Sequence, residues 1–465
     1  MASQSTPVTK QTKLAVFGAA SLAFCGILVE TSMNVTFPTL MIQFHQSLAT
    51  VQWVTTAYLL AVAATMVIAA YTQQRFHWRT LINVGGGGFL LGGLLCAFAP
   101  NLLVLLLGRI IQAVGTGFAL PLVFAQIMTQ IPFNAQGRFT GTAGMLIALA
   151  PSLGPTYGGI VTQLLSWRLI FGITLPFGLM AWLVTVRNIR QTQPPVKQAF
   201  PIIEFALIVL ALVLTILGIN NVAGHGFSGR FVYFPLGLAL IALIGFGYRA
   251  TRRPHPLIHL QVFHQGTFTR ALLVYFLIQL IQIGLTFLLP NFAQLALGQG
   301  IMLSGLMLLA GSLCSAVVSP FTGKLMDRVG IQIPTRIGSG LLIGATLAMA
   351  LLARHLTVGL IIILFAVFQV GFGFLFNNTL TFGLQQLPSN LIGDGNAVFN
   401  TLQQYSGSLG TAIMATLIAA GAQLAPHTTQ AVQTTHGTQL ALWFSVLLII
   451  LASMLATTLK TPRRA

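Results

Sequence analysis

The chain has 465 residues, of which 55% are hydrophobic and only 6% charged, and its mean hydropathy is +0.88. So few charges cannot cover a water-soluble protein of this length, and apolar runs of roughly 20 residues, each able to cross a ~30 Å hydrocarbon core, recur throughout. An all-α polytopic membrane protein is therefore predicted; the net charge of +18 falls in short loops between the runs, so no nucleic-acid partner is expected.

The first apolar run follows a polar leader, MASQSTPVTKQTK. No small-residue cleavage site ends it and another run follows at once, so it reads as a retained first helix. Spans are predicted near 14–37, 50–73, 80–99, 102–128, 138–162, 168–188, 201–221, 231–250, 268–290, 301–322, 333–353, 356–380, 396–421 and 438–458. These fourteen spans put both termini on one side. Eighteen of the 22 Lys and Arg residues fall on that side, only Arg168, Arg230 and Arg354 fall on the other, and Arg109 lies inside a span. The positive-inside rule makes the terminal side cytoplasmic.

In chain order, the first unusual residue is Glu30, in GILVETSMNVTFPTL. The chain has four acids, Glu30, Glu204, Asp327 and Asp394, and this one sits in a membrane span. The fourth span, in LLGRIIQAVGTGFALPL, buries Arg109 with Gln112 one turn on. Intramembrane ionisable groups are costly and face protein or water. At ~1.5 Å per residue the two lie at depths within roughly two helical turns of each other, which makes them candidate partners, whether functional or as a permanent ion pair. The GGGG run at 85–88 and Gly92 reads as helix packing. In the fifth span, APSLGPTYGG combines two prolines with a small-xxx-small face at Gly154 and Gly158. Glu204, just after Pro201, suits a helix N-terminus. His255 and His259 have helical metal spacing, but Pro256 interrupts it and no acid is near in sequence, so no metal site is expected. Cys25, Cys96 and Cys314 all lie in spans and show no pairing pattern. No G-x-x-x-x-G-K-[ST] loop is present, so movement of a substrate would draw on an ion gradient.

An internal repeat aligns NAQGRFTGTAGMLIALAPSLGP (134–155) without gaps on NLIGDGNAVFNTLQQYSGSLGT (390–411). The matches include Asn134 with Asn390, Gly137 with Gly393, and Ser152-Leu153-Gly154 with Ser408-Leu409-Gly410. The loops AYTQQRFHWR and GKLMDRVG correspond at nearly the same offset. Two parallel six-span halves are implied, at 1–190 and 263–465, with a pair of spans inserted at 191–262.

Taken together these stretches resemble the major facilitator superfamily, in particular its fourteen-helix drug:proton antiporter branch, along essentially the whole chain. ETSMNVTFP resembles that branch's first-helix signature, with Thr31, Asn34 and Pro38 in register. GRIIQAVGTG resembles the fourth-helix motif whose arginine, here Arg109, the family uses in proton coupling. PSLGPTYGG is similar to the antiporter motif of helix five through Gly154, Pro155, Gly158 and Gly159. GKLMDRVG resembles the loop motif after the second helix of a half, through Gly323, Asp327, Arg328 and Gly330, and SWRLIFGITLPFG the entry to helix six. The chain departs from the branch at Val29, where an aspartate is usual; its acid, Glu30, follows one position later. The first-half loop motif has Ala70, Thr72, Gln74 and His77 in place of its usual residues, while Arg75 and Arg79 remain.

The resemblance implies a monomeric secondary transporter of the cell membrane, not an enzyme, that needs no cofactor and exchanges protons for exported hydrophobic or cationic small molecules. Glu30 and Arg109 would couple the proton. Asn34, Trp53, Tyr58, Gln112, Gln279, Gln282, Asn377 and Asn378 would line the substrate cavity. The resemblance also implies a contact of the Asp327 loop with Arg138, and the repeat alignment sets Asp394 opposite Arg75 or Arg79 in the mirrored contact; together these pairs would latch the cytoplasmic face shut in the outward-open state. Two other readings remain open: an exporter of one metabolite or lipid, and a non-transporting sensor or scaffold. A buried acid is unneeded in the last.

Overall fold

The computed structural model describes residues 8–191, 199–225, 229–253, 256–388 and 391–459. Lys197, Lys460, Arg463 and Arg464, which entered the charge count, lie outside the described residues, as do His255 and Asn390. Every regular element among the described residues is helical. Fourteen helices are long and apolar enough to span a membrane: α1 (Lys10–Val35), α2 (Leu48–Val67), α3 (Trp78–Ala97), α4 (Leu102–Gln130), α5 (Arg138–Leu164), α6 (Arg168–Asn188), α7 (Ile202–Val222), α8 (Arg230–Arg252), α9 (Gly266–Leu295), α10 (Ile301–Val329), α11 (Gln332–Leu351), α12 (Val358–Gln385), α13 (Ile392–Leu424) and α14 (Gln430–Thr457). Their number agrees with the apolar runs, but several extend past them. α14 starts at Gln430 rather than 438, because a helix can continue beyond hydrocarbon wherever its polar turns reach water. Below, the inner end is the one carrying Lys10 and Thr457, and the outer end is opposite.

The chain behind α1 shows how local sequence shapes the outer end. Pro38 sits in the first turn of a short helix, Phe37–Phe44, and its missing N–H prevents a continuous helix through it. The backbone tightens to a 3-10 turn at Met33–Val35, where the Thr36 hydroxyl donates to the Met33 carbonyl at 2.8 Å.

Helices α1 to α6 pack among themselves, as do α9 to α14. In a bilayer no hydrophobic force drives one apolar helix against another, so close contact falls to small residues. A Cβ on Gly92 of α3 would overlap the backbone of Gly108 and Gln112 on α4, and one on Gly115 would meet the Gly85 carbonyl at 2.7 Å. The internal repeat acquires a structural meaning here. Gly154 of α5 lies against α1 at Leu28 and Thr31, and Gly410 of α13 lies against α9 at Leu280. The same motif makes the same contact in both groups of six.

Two seams join the groups. At one, α5 meets α10: Gly159 faces the Ile301 carbonyl and Gly305 faces that of Pro155. At the other, α2 meets α13: the Ser408 hydroxyl donates to the Thr56 carbonyl at 3.0 Å, and the Thr56 and Thr411 hydroxyls lie 3.1 Å apart. The pair α7–α8 packs outside the second seam. The Gln52 side-chain amide donates to Asn220 at 3.2 Å, and the Tyr405 hydroxyl to the Leu212 carbonyl at 3.4 Å.

Within α3 the packing argument makes a contrast that purified protein can test. Gly92→Ala should lower the melting temperature in detergent, by the ~1–3 kcal/mol of a crowded interior. Gly87→Ala, where a Cβ meets nothing within 4 Å, should leave it unchanged or slightly raise it. Equal effects at both positions would remove the close-packing role of Gly92.

Candidate functional site

The polar centre of the first six helices is built around Arg109. Its side chain is fully buried in α4, so its five donors must be met by protein. Nε donates to the Val54 carbonyl of α2 at 3.2 Å, and Nη1 to the Gln112 side chain, one turn along α4, at 2.8 Å. The guanidinium carbon lies over the Tyr58 ring, 3.8 Å from its centroid, with the Phe171 ring of α6 at 5.9 Å. Tyr58 shares a 2.6 Å hydrogen bond with Thr116. A desolvated cation–π contact contributes up to ~2 kcal/mol, and each hydrogen bond to a charged group ~1.5–3 kcal/mol. Together these offset the ~3 kcal/mol that centring an arginine in a membrane helix costs. Arg109 is thus fastened through Nε, Nη1 and its ring contact, while its Nη2 is buried without a hydrogen-bond partner.

Glu30 is not fastened in this way. Its residue is 4% exposed, and Oε2 is buried without a hydrogen-bond partner. It stands one turn above Gly26, whose bare Cα admits Thr116 and brings the Tyr58 hydroxyl to 3.0 Å from where a Cβ would be. The carboxyl thus belongs to the same cluster as Arg109, but the two form no ion pair: among the described residues the paired acids are Glu204 and Asp394. The partnership expected from helix depth is corrected accordingly. The guanidinium is already engaged by Val54, Gln112 and Tyr58. The antiporter-motif glycines sit close by, since Gly154 abuts Thr31 and Gly158 abuts Ser32, just beyond Glu30.

The residues proposed as cavity lining scatter. Tyr58 and Gln112 belong to the arginine cluster. Ile283, beside Gln282, packs with Tyr58, and the Gln279 Oε1 is buried and unpartnered, so this turn of α9 faces the same centre. Trp53 packs against the core. Three residues need correction. Asn34 is buried in the closed outer contact, taking a hydrogen bond from Thr55 at 3.2 Å and, through its carbonyl, one from Asn291 at 3.1 Å. Asn377 donates to Ser319 and Asn378 to the Thr322 carbonyl, at 2.9 and 3.3 Å, so both tie α12 to α10. The large cavity lies lower. It has a volume of about 1010 Å³ at the inner end, between Met66–Gln74, Pro121–Met128 and Gly393–Asn400, and none of the eight residues lines it.

The outer end is shut. Gln294 of α9 donates to the Val35 carbonyl at 2.9 Å, and Phe37 packs on Phe287 with ring centroids 5.4 Å apart. Asn291, Gln294, Thr55 and Thr411 were not singled out from sequence. Their only signal is that they are polar within apolar spans, which single helix-packing residues share.

At the inner end two of the three remaining acids hold the connector between α8 and α9. Glu204, 1% exposed, pairs with Arg253 at 3.3 Å and accepts from the Leu257 amide at 3.0 Å. It is in the first turn of α7 as expected, but its partners come from the far end of the helix pair. Asp394 accepts from the His259 amide at 3.4 Å and lies 3.1 Å from its ring Nδ1. His259 therefore has an acid neighbour that sequence distance hid, and Asp394 is engaged there and not with Arg75 or Arg79. Asp327 and Arg138 are exposed and form no ion pair among the described residues. Gly330, with φ of 77°, ends the helix that carries Asp327.

Comparison with known proteins follows this architecture. The family model described as Major Facilitator Superfamily matches residues 19–411. A lincomycin resistance protein, LmrB, of Listeria innocua is 32% identical over 88% of this chain and 87% of its own length. A multidrug resistance protein B homolog of Mycobacterium tuberculosis is 29% identical over 83% and 73%. Among solved structures, an auto-inhibited POT family peptide transporter shares the fold, with a TM-score of 0.68, 15% identity and coverage of 97% and 98% of the two chains. The chain belongs to the Major Facilitator Superfamily of membrane transporters.

Proposed function

We propose that this transporter exports hydrophobic or cationic small molecules in exchange for protons, by alternating access between its two six-helix halves, 1–190 and 263–465, with 191–262 as the inserted pair. The observation that carries the reading is the contrast inside one cluster: Arg109 is held by Val54, Gln112 and the Tyr58 ring, whereas the buried Glu30 Oε2 has no hydrogen-bond partner. A carboxyl oxygen that nothing in the protein satisfies is suited to exchange a proton for a cation. The structure is closed at the outer end and holds its large cavity at the inner end, the geometry of an inward-open state. The relatives named for lincomycin and multidrug resistance support the direction of transport and the substrate class. The basic residues of the inner loops support a cytoplasmic inner end in a bacterial plasma membrane.

In this mechanism a proton arriving from outside neutralises Glu30 and releases the bound cation. Loss of the proton inward restores the charge for the next substrate. Arg109 keeps the positions of α2, α4 and α6 constant through the cycle, and the α5 glycines let α5 lie close to both α1 and α10.

Glu30→Gln should abolish efflux driven by an imposed pH gradient in inverted vesicles, with expression and melting temperature unchanged. Normal gradient-driven efflux by that variant would return Glu30 to a structural role. With one intramembrane acid, monovalent lipophilic cations should be carried better than rigid divalent cations of equal size. Equal transport of both classes, equally sensitive to Glu30→Gln, would contradict the single-charge mechanism. For the outward-open state we retain the Arg138–Asp327 latch, a solvated pair worth on the order of 1 kcal/mol. Asp327→Arg should raise cytoplasmic accessibility of a cysteine placed in the inner cavity, and Arg138→Asp added to it should partly reverse the change. Strict additivity of the two substitutions would exclude direct pairing.

A further inference from the structure

On the wall of the first six helices, away from the central cavity, a groove runs between α1 and α6 with α5 along one side. It consists of two hollows of about 510 and 410 Å³ that share Leu14, Met180 and Val184. Its floor is the contact of Gly18 with α6, where a Cβ would come 3.2 Å from the Ala181 carbonyl. That contact separates the groove from the helix interior. Its polar groups are spent on nearby backbone: the Ser21 hydroxyl donates to Phe17 at 2.8 Å, Thr174 to Ile170 at 2.9 Å, and Tyr157 to Ile170 at 3.0 Å. Apart from the free Cys25 thiol, the wall between Leu14 and Leu28 is apolar or already bonded, and Asn188 and Arg187 lie at its inner end. The rim faces outward, with Phe177 57% and Met180 59% exposed. Along α1 the groove extends from Leu14 to Leu28, roughly 21 Å at the helical rise.

The inner end of the groove differs. Arg187 lines it, and Lys10 and Lys13 stand on α1 one turn before Leu14 and Phe17. All three are exposed. Of the chain's four acids, Glu204 and Asp394 are paired elsewhere, Asp327 is on α10 and Glu30 is near the opposite end of α1. None of the three cations forms an ion pair among the described residues.

We propose that the groove is a binding site for one anionic glycerophospholipid. Its acyl chain lies along α1 and α6, and its phosphate sits among Lys10, Lys13 and Arg187. The dry wall matches a hydrocarbon chain, and its length covers one leaflet's share of a ~30 Å core. The three cations lie where a headgroup of that leaflet would be. The proposal needs only the placement of these helices in a membrane and is independent of what is transported. Which leaflet is involved rests on the cytoplasmic reading of the inner end, which impermeant labelling of Thr9→Cys tests separately.

The test is native mass spectrometry of the purified full chain, incubated with phosphatidylglycerol or phosphatidylcholine of identical acyl chains. Phosphatidylglycerol should be retained in preference. Replacing Lys10, Lys13 and Arg187 together by Gln should cut that preference at least tenfold, since each basic residue contributes on the order of fivefold. Ser21→Phe, which fills the groove, should reduce retention of both lipids; Val184→Phe makes the same test if Ser21→Phe does not fold. Equal retention of the two lipids by the unsubstituted chain would overturn the proposal. So would a preference unchanged in the triple variant, or displacement of phosphatidylglycerol by an apolar transported dye.

Discussion

A polar group inside hydrocarbon has no water to turn to, so its partners must come from the protein. The interior of this molecule is organised by that constraint, and Arg109 is where it acts most strongly. Meeting one guanidinium requires a carbonyl of α2, a glutamine of α4 and an aromatic face, and the Tyr58 that supplies the face must itself be bonded to Thr116. Four groups from two helices are thereby held in register, and Gly26 lets α1 approach close enough to present Glu30 to them. The match is incomplete: Glu30 Oε2, Arg109 Nη2 and Gln112 Nε2 are buried in this cluster without hydrogen-bond partners.

The two ends of the molecule are held by different chemistry. At the outer end the seal is made of neutral amides, hydroxyls and glycine contacts: Asn291 and Gln294 reach across to the last backbone carbonyls of α1, and Gly159 and Gly305 let α5 and α10 touch. Such bonds are individually modest, each ~1 kcal/mol net, so the seal is a sum of small terms that can be exchanged without stranding a charge. The inner end uses charge. Glu204 and Asp394 both grip the segment that leads from α8 into α9, one through Arg253 and the Leu257 amide, the other through His259. That segment also lines the inner cavity.

The α7–α8 pair is thus fixed at both levels. α7 leans on the α2–α13 seam through Gln52–Asn220 and Tyr405–Leu212, and the connector after α8 is tied to the start of α13. A motion that separates α2 from α13 has to pass α7, which touches both. The α7–α8 pair therefore braces the α2–α13 seam.

The fourteen helices, their order and the close-packing glycine faces of α3 and α5 were legible in the sequence. Spanning length and hydropathy depend only on nearest neighbours along the chain, and small residues mark close approach wherever lipid cannot drive packing. The repeat of Ser152-Leu153-Gly154 in Ser408-Leu409-Gly410 likewise pointed to paired halves, and the α1–α5 and α9–α13 contacts give that repeat its physical content. Glu30 and Arg109 stood out because charge in an apolar run is costly wherever it occurs. Partner choice was not legible. Arg109 turned to Val54, Gln112 and the Tyr58 ring, Asp394 to His259 some 135 residues away, and Asn377 and Asn378 to α10 instead of the cavity. A side chain's partner is set by the rotation of its helix and by which neighbour the tertiary fold brings within ~3 Å. Neither quantity is a property of the local sequence, so composition determined which residues had to be accommodated and only the packed structure decided by whom.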